Sequence, residues 1–375
     1  MGPLPKAAEA AGVAALARKR HPSDITAPGA FWESDRVRTL FAKLVGAPDP
    51  TRIAIQPGVS YGVATAARNL PVERGQNLVL THEQFPGNVY AWRRLAAERG
   101  AELRAVGPEG GGMREQSSLT GVSAASRGAL WNEALLASID TATAVVAVPH
   151  VHWTDGTRFD LEAVGRRCRE VGAALVVDGT QSVGALPFDV ESVRPDALVC
   201  AAYKWLLGPY SLAFAYFGPR FDDGVPLEET WIAREGSEDF QRLVEYRDGY
   251  ASGAVRYDVA ERSNFFLMPI AEASLELLLG WGADRVQAYC EDLIRPLLQE
   301  AESLGYGIED ARWRASHLFG IRMPPSVELA DVRDRLAARE ISVSLRGTAL
   351  RVSPNVYNDE GDVQALLSVL REATA

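Results

Sequence analysis

Residues 174–184 read Ala174-Leu175-Val176-Val177-Asp178-Gly179-Thr180-Gln181-Ser182-Val183-Gly184. Four apolar residues run into an aspartate and then a tight polar turn, which predicts a short strand over 174–177 that ends in a loop. A helix is predicted just before it, from Asp160 to 171 with Gly172 as its stop, and a further strand just after it over 196–202. Working outward, strands are predicted at 52–56, 77–81, 143–149 and 212–217. Helices are predicted at 34–45 with Ser34 as cap, at 60–69 entered through Pro57-Gly58, and at 89–98 ended by Gly100. Strands that alternate with helices imply crossover connections, hence an α/β fold whose largely parallel sheet is covered on both faces. From about 268 the rhythm changes to long helices at 271–279 and 284–304, short strands near 317–322, 341–345 and 349–353, and a last helix at 361–372. That pattern predicts a smaller α+β lobe. The expected division is a large domain over 20–265 and a small one over 266–375, with 1–19 packing as an arm or on the small domain. The stretch 107–128 is glycine- and serine-rich without apolar period and reads as a surface insertion or an active-site flap.

The chain has 375 residues, which at about 150 per domain allows two or three domains. With 47% hydrophobic and 23% charged residues it is no disordered chain. A net charge of −10 excludes a global basic field for nucleic acid or anionic lipid. Cys168, Cys200 and Cys290 are too few and too widely spaced for a disulfide framework or a zinc site. No apolar run approaches the roughly 18 residues of a membrane span. The first positive cluster follows an alanine-rich stretch, the reverse of a signal peptide, so a soluble cytoplasmic protein is expected.

Three segments carry chemistry. Asp178 ends a strand at the carboxyl edge of a parallel sheet, where ligands bind and where a half-buried carboxylate needs a cationic partner. Lys204 follows another strand in Tyr203-Lys204-Trp205, and partial desolvation between aromatic residues favours a nucleophilic amine. In Gln56-Pro57-Gly58-Val59-Ser60-Tyr61-Gly62 a strand opens into a helix, whose free amides and the Ser60 hydroxyl form an anion cradle. Each has a plainer reading when taken alone: Asp178 as a helix cap, Lys204 as a lysine snorkelling from a strand end, and 56–62 as an ordinary turn. His150 and His152 share one strand face, but no third ligand follows and no metal is expected.

In combination and in this order, the three segments resemble fold type I pyridoxal 5′-phosphate (PLP) enzymes of the class V aminotransferase superfamily. That group includes cysteine desulfurases, kynureninase, isopenicillin N epimerase and an ergothioneine-pathway C–S lyase. The resemblance runs from Gly2-Pro3-Leu4-Pro5 to Arg351-Val352-Ser353-Pro354-Asn355-Val356-Tyr357-Asn358, and the Asp-Gly-x-Gln-Ser-Val-Gly turn with its later lysine is its most specific part. It implies a large domain with a mostly parallel seven-stranded sheet sandwiched by helices, and PLP as cofactor. Lys204 would form the Schiff base and then move protons. Asp178 would pair with the pyridine nitrogen, and Gln181 would approach the ring hydroxyl. The Val59 amide, Ser60 and Tyr203 would hold the phosphate. Tyr203 stands where many relatives have histidine, and Tyr-Lys is nearer to kynureninase. Phe85, in a kynureninase-like Phe-Pro segment, would stack on the cofactor ring. Residues 256–264 resemble the segment that reaches the neighbouring subunit's phosphate, through Ser263 or Asn264, so a homodimer is expected.

The chain also departs from that pattern. The stretch 345–351 lacks the catalytic cysteine of desulfurases, so persulfide chemistry is not expected. Trp153 stands where an asparagine would approach the ring hydroxyl and is instead a substrate-side candidate. Relatives carry an N-terminal strand with an Asn-Ala pair where this chain starts at Gly2-Pro3-Leu4-Pro5, which implies a misplaced start or a missing part of the substrate wall. Arg346 and Arg351 are the candidate ligands for a substrate carboxylate, Arg351 by the stronger match. The expectation is a PLP enzyme acting on an amino acid, on balance a lyase or hydrolase cleaving a C–S or C–C bond. The alternatives are an aminotransferase moving an amino group to a 2-oxo acid and a non-catalytic PLP-binding protein.

Overall fold

The computed structural model describes residues 1–25, 27–108, 110–111, 126–346 and 349–374. In chain order the large unit holds helix α1 (Lys6–Arg18), α2 (Ala27–Leu44), strand β1 (Ile53–Gln56), α3 (Val59–Asn69), β2 (Asn77–Thr81), α4 (Tyr90–Arg99), β3 (Glu102–Gly107) and β4 (Gly110–Gly111). It continues with α5 (Arg127–Ala137), β5 (Thr143–Pro149), α6 (Leu161–Val171), β6 (Ala174–Asp178), α7 (Val190–Val193), β7 (Ala197–Ala201), β8 (Ala213–Phe217) and α8 (Leu267–Trp281). The sheet order is β1-β8-β7-β6-β5-β2-β3-β4. Seven strands form the expected sheet and the two-residue β4 adds to one edge; β8 runs antiparallel to both of its neighbours.

The uninterrupted apolar strands follow from burial on both faces. In β6, Leu175 and Val177 enter one core with Phe41 of α2, Leu135 of α5 and Val164 of α6, while Ala174 and Val176 enter the other with Val63 of α3 and Trp92 of α4. Alternating side chains thus meet a helix layer on either side. Parallel register aligns Asp178 with Pro149 of β5 and Val199 of β7, which sets the carboxylate at the carboxyl edge of the central strands.

Local signals place most boundaries. Asp160 caps α6 by accepting from the Ala163 amide at 2.9 Å, and Gly172 closes it at φ 80°. The helix predicted at 34–45 instead runs from Ala27, with Ser34 inside it. Ser34 is fully buried and its hydroxyl donates to the Arg262 carbonyl, so tertiary packing uses the group that local preference assigns to a cap. Helix α1, which has no clear apolar period, packs through Ala8, Gly12 and Ala15 against α8. The predicted strand at 341–345 is shifted: its ladder is β11 (Ser344–Arg346), paired with β12 (Ala349–Val352). Of the segment expected as an insertion or flap, residues 109 and 112–125 lie outside the described residues, as do Gly347 and Thr348.

The small unit is an antiparallel sheet in the order β11-β12-β10-β9, with β9 at Gly307–Ile308 and β10 at Phe319–Arg322. It packs on α9 (Ala283–Ser303), α10 (Leu329–Ala338) and α11 (Glu360–Thr374). Helix α8 contributes Met268, Leu275 and Leu278 to the core of the large unit, whereas α9 joins the small-unit core from Leu293 onward. By core membership, we place the domain division inside α9. Among the described residues no helix is long and apolar enough to cross a membrane.

Candidate active site

A cavity of about 280 Å³ opens at the carboxyl edge of the sheet. Its floor is the 178–184 turn, and two glycines explain that turn's sequence. A Cβ on Gly179 would come within 2.7 Å of Cys200 Sγ, and Gly184, at φ 102°, lies against the Trp205 carbonyl where a Cβ would sit 2.3 Å away. The turn is therefore pressed onto the segment that carries Lys204, and no other residue type fits either place.

Asp178 is buried and accepts from the Thr180 amide at 3.0 Å. Among the described residues no cationic group lies within ion-pair distance of it. Burial raises its pKa; the Thr180 hydrogen bonds and the charge of Lys204 act against that rise. Lys204 leaves β7 in a turn closed by the Gly208 amide on the Ala202 carbonyl at 2.8 Å. Its Nζ lies 5.2 Å from the Phe85 ring centre and 5.8 Å from that of Tyr203. Burial pushes its pKa down, Asp178 opposes this, and Arg351 and Arg346 add to it.

Val59 and Ser60 stand at the start of α3, where Gly58 leaves the helix amides without a side-chain cap. That open, positive helix end faces the same cavity. Tyr203 lines it too, with its ring 4.6 Å from Tyr210. Phe85 projects from a loop held by Gln84, whose amide accepts from Thr81 Oγ1 at 2.7 Å and donates to the Asn88 carbonyl at 2.6 Å. Its ring meets Trp153 edge-on at 5.5 Å. Trp153 also lines the cavity, and its indole N–H is taken by the Glu83 carbonyl at 2.6 Å.

A second cavity of about 720 Å³ borders the small unit and shares Gln181 and Lys204 with the first. Arg351 of β12 lines it. Its Nη1 donates to the Trp153 carbonyl at 2.6 Å and its Nη2 to Ser344 Oγ at 3.3 Å, while its buried Nε has no partner. The Arg346 guanidinium lies 5.3 Å over the Trp153 ring, again with Nε buried and unpartnered. Among the described residues neither arginine has a carboxylate partner. The antiparallel β11–β12 ladder, with Ser344 opposite Arg351 and Arg346 opposite Ala349, brings both guanidinium groups toward Lys204.

Ser263 and Asn264 line neither cavity. Asn264 Oδ1 instead accepts from the Phe266 and Leu267 amides at 3.1 and 3.0 Å, at the start of α8. Sequence reasoning missed Thr180, Tyr210, Trp205 and His317. Thr180 and Tyr210 sit beside the quoted motifs and were within reach of it; His317 lies over a hundred residues from the turn it touches and gave no local signal. The three cysteines are buried, none lines either cavity, and burial pushes the Cys168 and Cys290 thiols up to about 12.

An open helix end, an uncompensated buried carboxylate and a desolvated amine around one cavity suit a ligand with an anionic tail, a basic ring nitrogen and a carbonyl carbon. PLP is such a molecule, so the residues present fit the group. Known proteins point the same way. The chain is 25% identical to an uncharacterized aminotransferase, YcbU, of Bacillus subtilis, over 92% of this chain and 85% of that one. It is also 25% identical to isopenicillin N epimerase of Streptomyces clavuligerus, with the same coverage. Among solved structures, the cystine C–S lyase C-DES in complex with cysteine persulfide superposes with a TM-score of 0.81 at 20% identity, over 99% of this chain and 95% of that one. The apo cysteine desulfurase of Thermococcus onnurineus gives 0.77 at 21% identity, over 98% and 91%. Residues 30–228 match the model for aminotransferase class V, more than half of the chain, and the protein belongs to that family of PLP-dependent enzymes.

Proposed function

We propose that this enzyme removes the α-proton of an amino acid and then releases a side-chain group by C–S or C–C cleavage, without a persulfide relay. The observation that carries the reading is Lys204, which lines both cavities, with Asp178 in the first and, in the second, Arg351, which has no carboxylate partner among the described residues. The absence of any cysteine from either cavity supports the second clause. When bound, PLP supplies an electron sink for the pair left at Cα. Asp178 would supply the negative charge that keeps a ring nitrogen protonated. Val59 and Ser60, with Tyr203, would hold the cofactor phosphate, Phe85 would lie against the ring, and Gln181 would donate to the ring hydroxyl. The Lys204 amine, with its pKa lowered, would be the group that joins the cofactor and that takes the proton from Cα. Arg351 holds the substrate carboxylate, with Arg346 beside it across Trp153.

Aminotransfer is the competing reading, favoured by the likeness to YcbU. A panel of amino acids scored for pyruvate, ammonia and 2-oxo acid separates the two. Ammonia with an oxo acid (C–S elimination), or alanine with a released carboxylic acid (C–C hydrolysis), and no need for an amino acceptor supports cleavage, whereas turnover that requires a 2-oxo acid overturns it.

A bidentate arginine–carboxylate pair in a partly dry pocket is worth about 1.5–3 kcal/mol. Arg351→Lys keeps the charge and loses the fork, so KM for the best amino acid should rise about tenfold to a hundredfold. A rise confined to Arg346→Lys would reverse the assignment.

Ser263 or Asn264 would reach the phosphate site of a second copy, which requires a two-fold dimer with two shared sites. Light scattering should find a dimer at working concentration; a fully active monomer would contradict this.

A further inference from the structure

Gln181 has one end of its amide turned to the cavity, and the protein determines which end. Its Oε1 lies 3.1 Å from Trp205 Nε1. An indole N–H can only donate, so the atom facing it is the oxygen and the NH₂ is the end left for a ligand. The main chain of Gln181 is held separately: its carbonyl accepts from His317 Nε2 at 2.7 Å.

The tautomer of His317 follows from a chain of bonds anchored on the backbone. The Ser316 amide donates to Gln287 Oε1 at 3.1 Å, so Gln287 Nε2 is the donor that meets the Ala185 carbonyl at 2.7 Å and His317 Nδ1 at 2.7 Å. The imidazole therefore accepts at Nδ1 and carries its proton on Nε2. His317 is fully buried, with its ring edge-on to Trp205 at 4.5 Å and 83°. Burial lowers its pKa to about 4, so it stays neutral near neutral pH.

Trp153 cannot substitute for Gln181 as a donor, because its indole N–H is spent on the Glu83 carbonyl. We infer that Trp205 and His317 are positioning residues that lock Gln181 as a hydrogen-bond donor toward an anionic oxygen in the cavity. On the PLP reading above, on which this rests, that oxygen is the ring hydroxyl in its deprotonated form. His317 precedes β10 and Gln287 lies in α9, so the small unit and its connecting helix fix a group that faces the cofactor.

The test reads the colour of the PLP-loaded protein as a function of pH, together with PLP affinity, and needs no turnover. Loss of a donor to an anionic oxygen raises the proton affinity of the chromophore. Gln181→Leu should move the midpoint of the visible band up by about one pH unit, the scale of a charge-assisted hydrogen bond. Trp205→Phe keeps the packing on His317 but frees the amide to flip, and should move it up by about half as much. In the Gln181→Leu background, Trp205→Phe should add nothing. If Trp205→Phe does not fold, His317→Phe, which removes the N–H to the Gln181 carbonyl, should shift the midpoint in the same direction. An unmoved midpoint in the Trp205 or His317 variant beside a moved one in Gln181→Leu overturns the lock. So does an equal shift with and without Gln181, or an unmoved midpoint in Gln181→Leu. A wild-type protein that develops no visible band with PLP overturns the underlying reading instead.

Discussion

Lys204→Ala should lose at least about 10⁴-fold in turnover, with no measurable exchange of the α-proton into deuterated water. The variant removes both a covalent anchor and the general acid–base group, and a positioned acid–base alone contributes about 10²–10⁴-fold. The fold should tolerate the change. Lys204 forms no ion pair within bonding distance among the described residues, and the turn that carries it is closed by backbone hydrogen bonds and the Gly184–Trp205 contact. A folded variant that retains more than a few per cent of the exchange rate would take Lys204 out of the chemistry.

Asp178→Asn is the second large effect. Asparagine keeps the acceptor for the Thr180 amide but drops the charge, so the turn geometry at 3.0 Å should survive. Loss of one preorganised electrostatic contact in a dry site costs about 10²–10³-fold, and α-proton exchange should fall by that amount. The cofactor-free protein should melt at an unchanged or higher temperature, because a buried carboxylate without a cation is costly and the amide is not. If Asp178 served only as a turn cap, exchange would stay near normal.

Much of the site was legible because its parts are local in sequence. Asp178 and Lys204 each follow an apolar strand, and strand ends on one edge of a parallel sheet converge whatever the length of chain between them. The strand at 143–149 matches β5 residue for residue because β-branched runs between turn signals leave little choice. What escaped depends on long-range packing. Ser34 looks like a cap, yet the burial of α2 against α8 carries the helix seven residues further back. His317 touches the 178–184 turn, and Gln287 the Ala185 carbonyl just after it, only once the small unit is docked, and no periodicity encodes those contacts. The pairing of Arg346 with Trp153 likewise needs the β11–β12 ladder in place.

The central claim is that Lys204 is the residue that joins the cofactor, and the chain makes it unusually easy to test. It has four lysines, and Lys6, Lys19 and Lys43 are exposed on or just after the first two helices, away from both cavities. Protein loaded with PLP, reduced with borohydride, digested and weighed by mass spectrometry should carry a single adduct on the peptide containing Lys204. An adduct on one of the other three, or none with PLP in excess, would contradict the account.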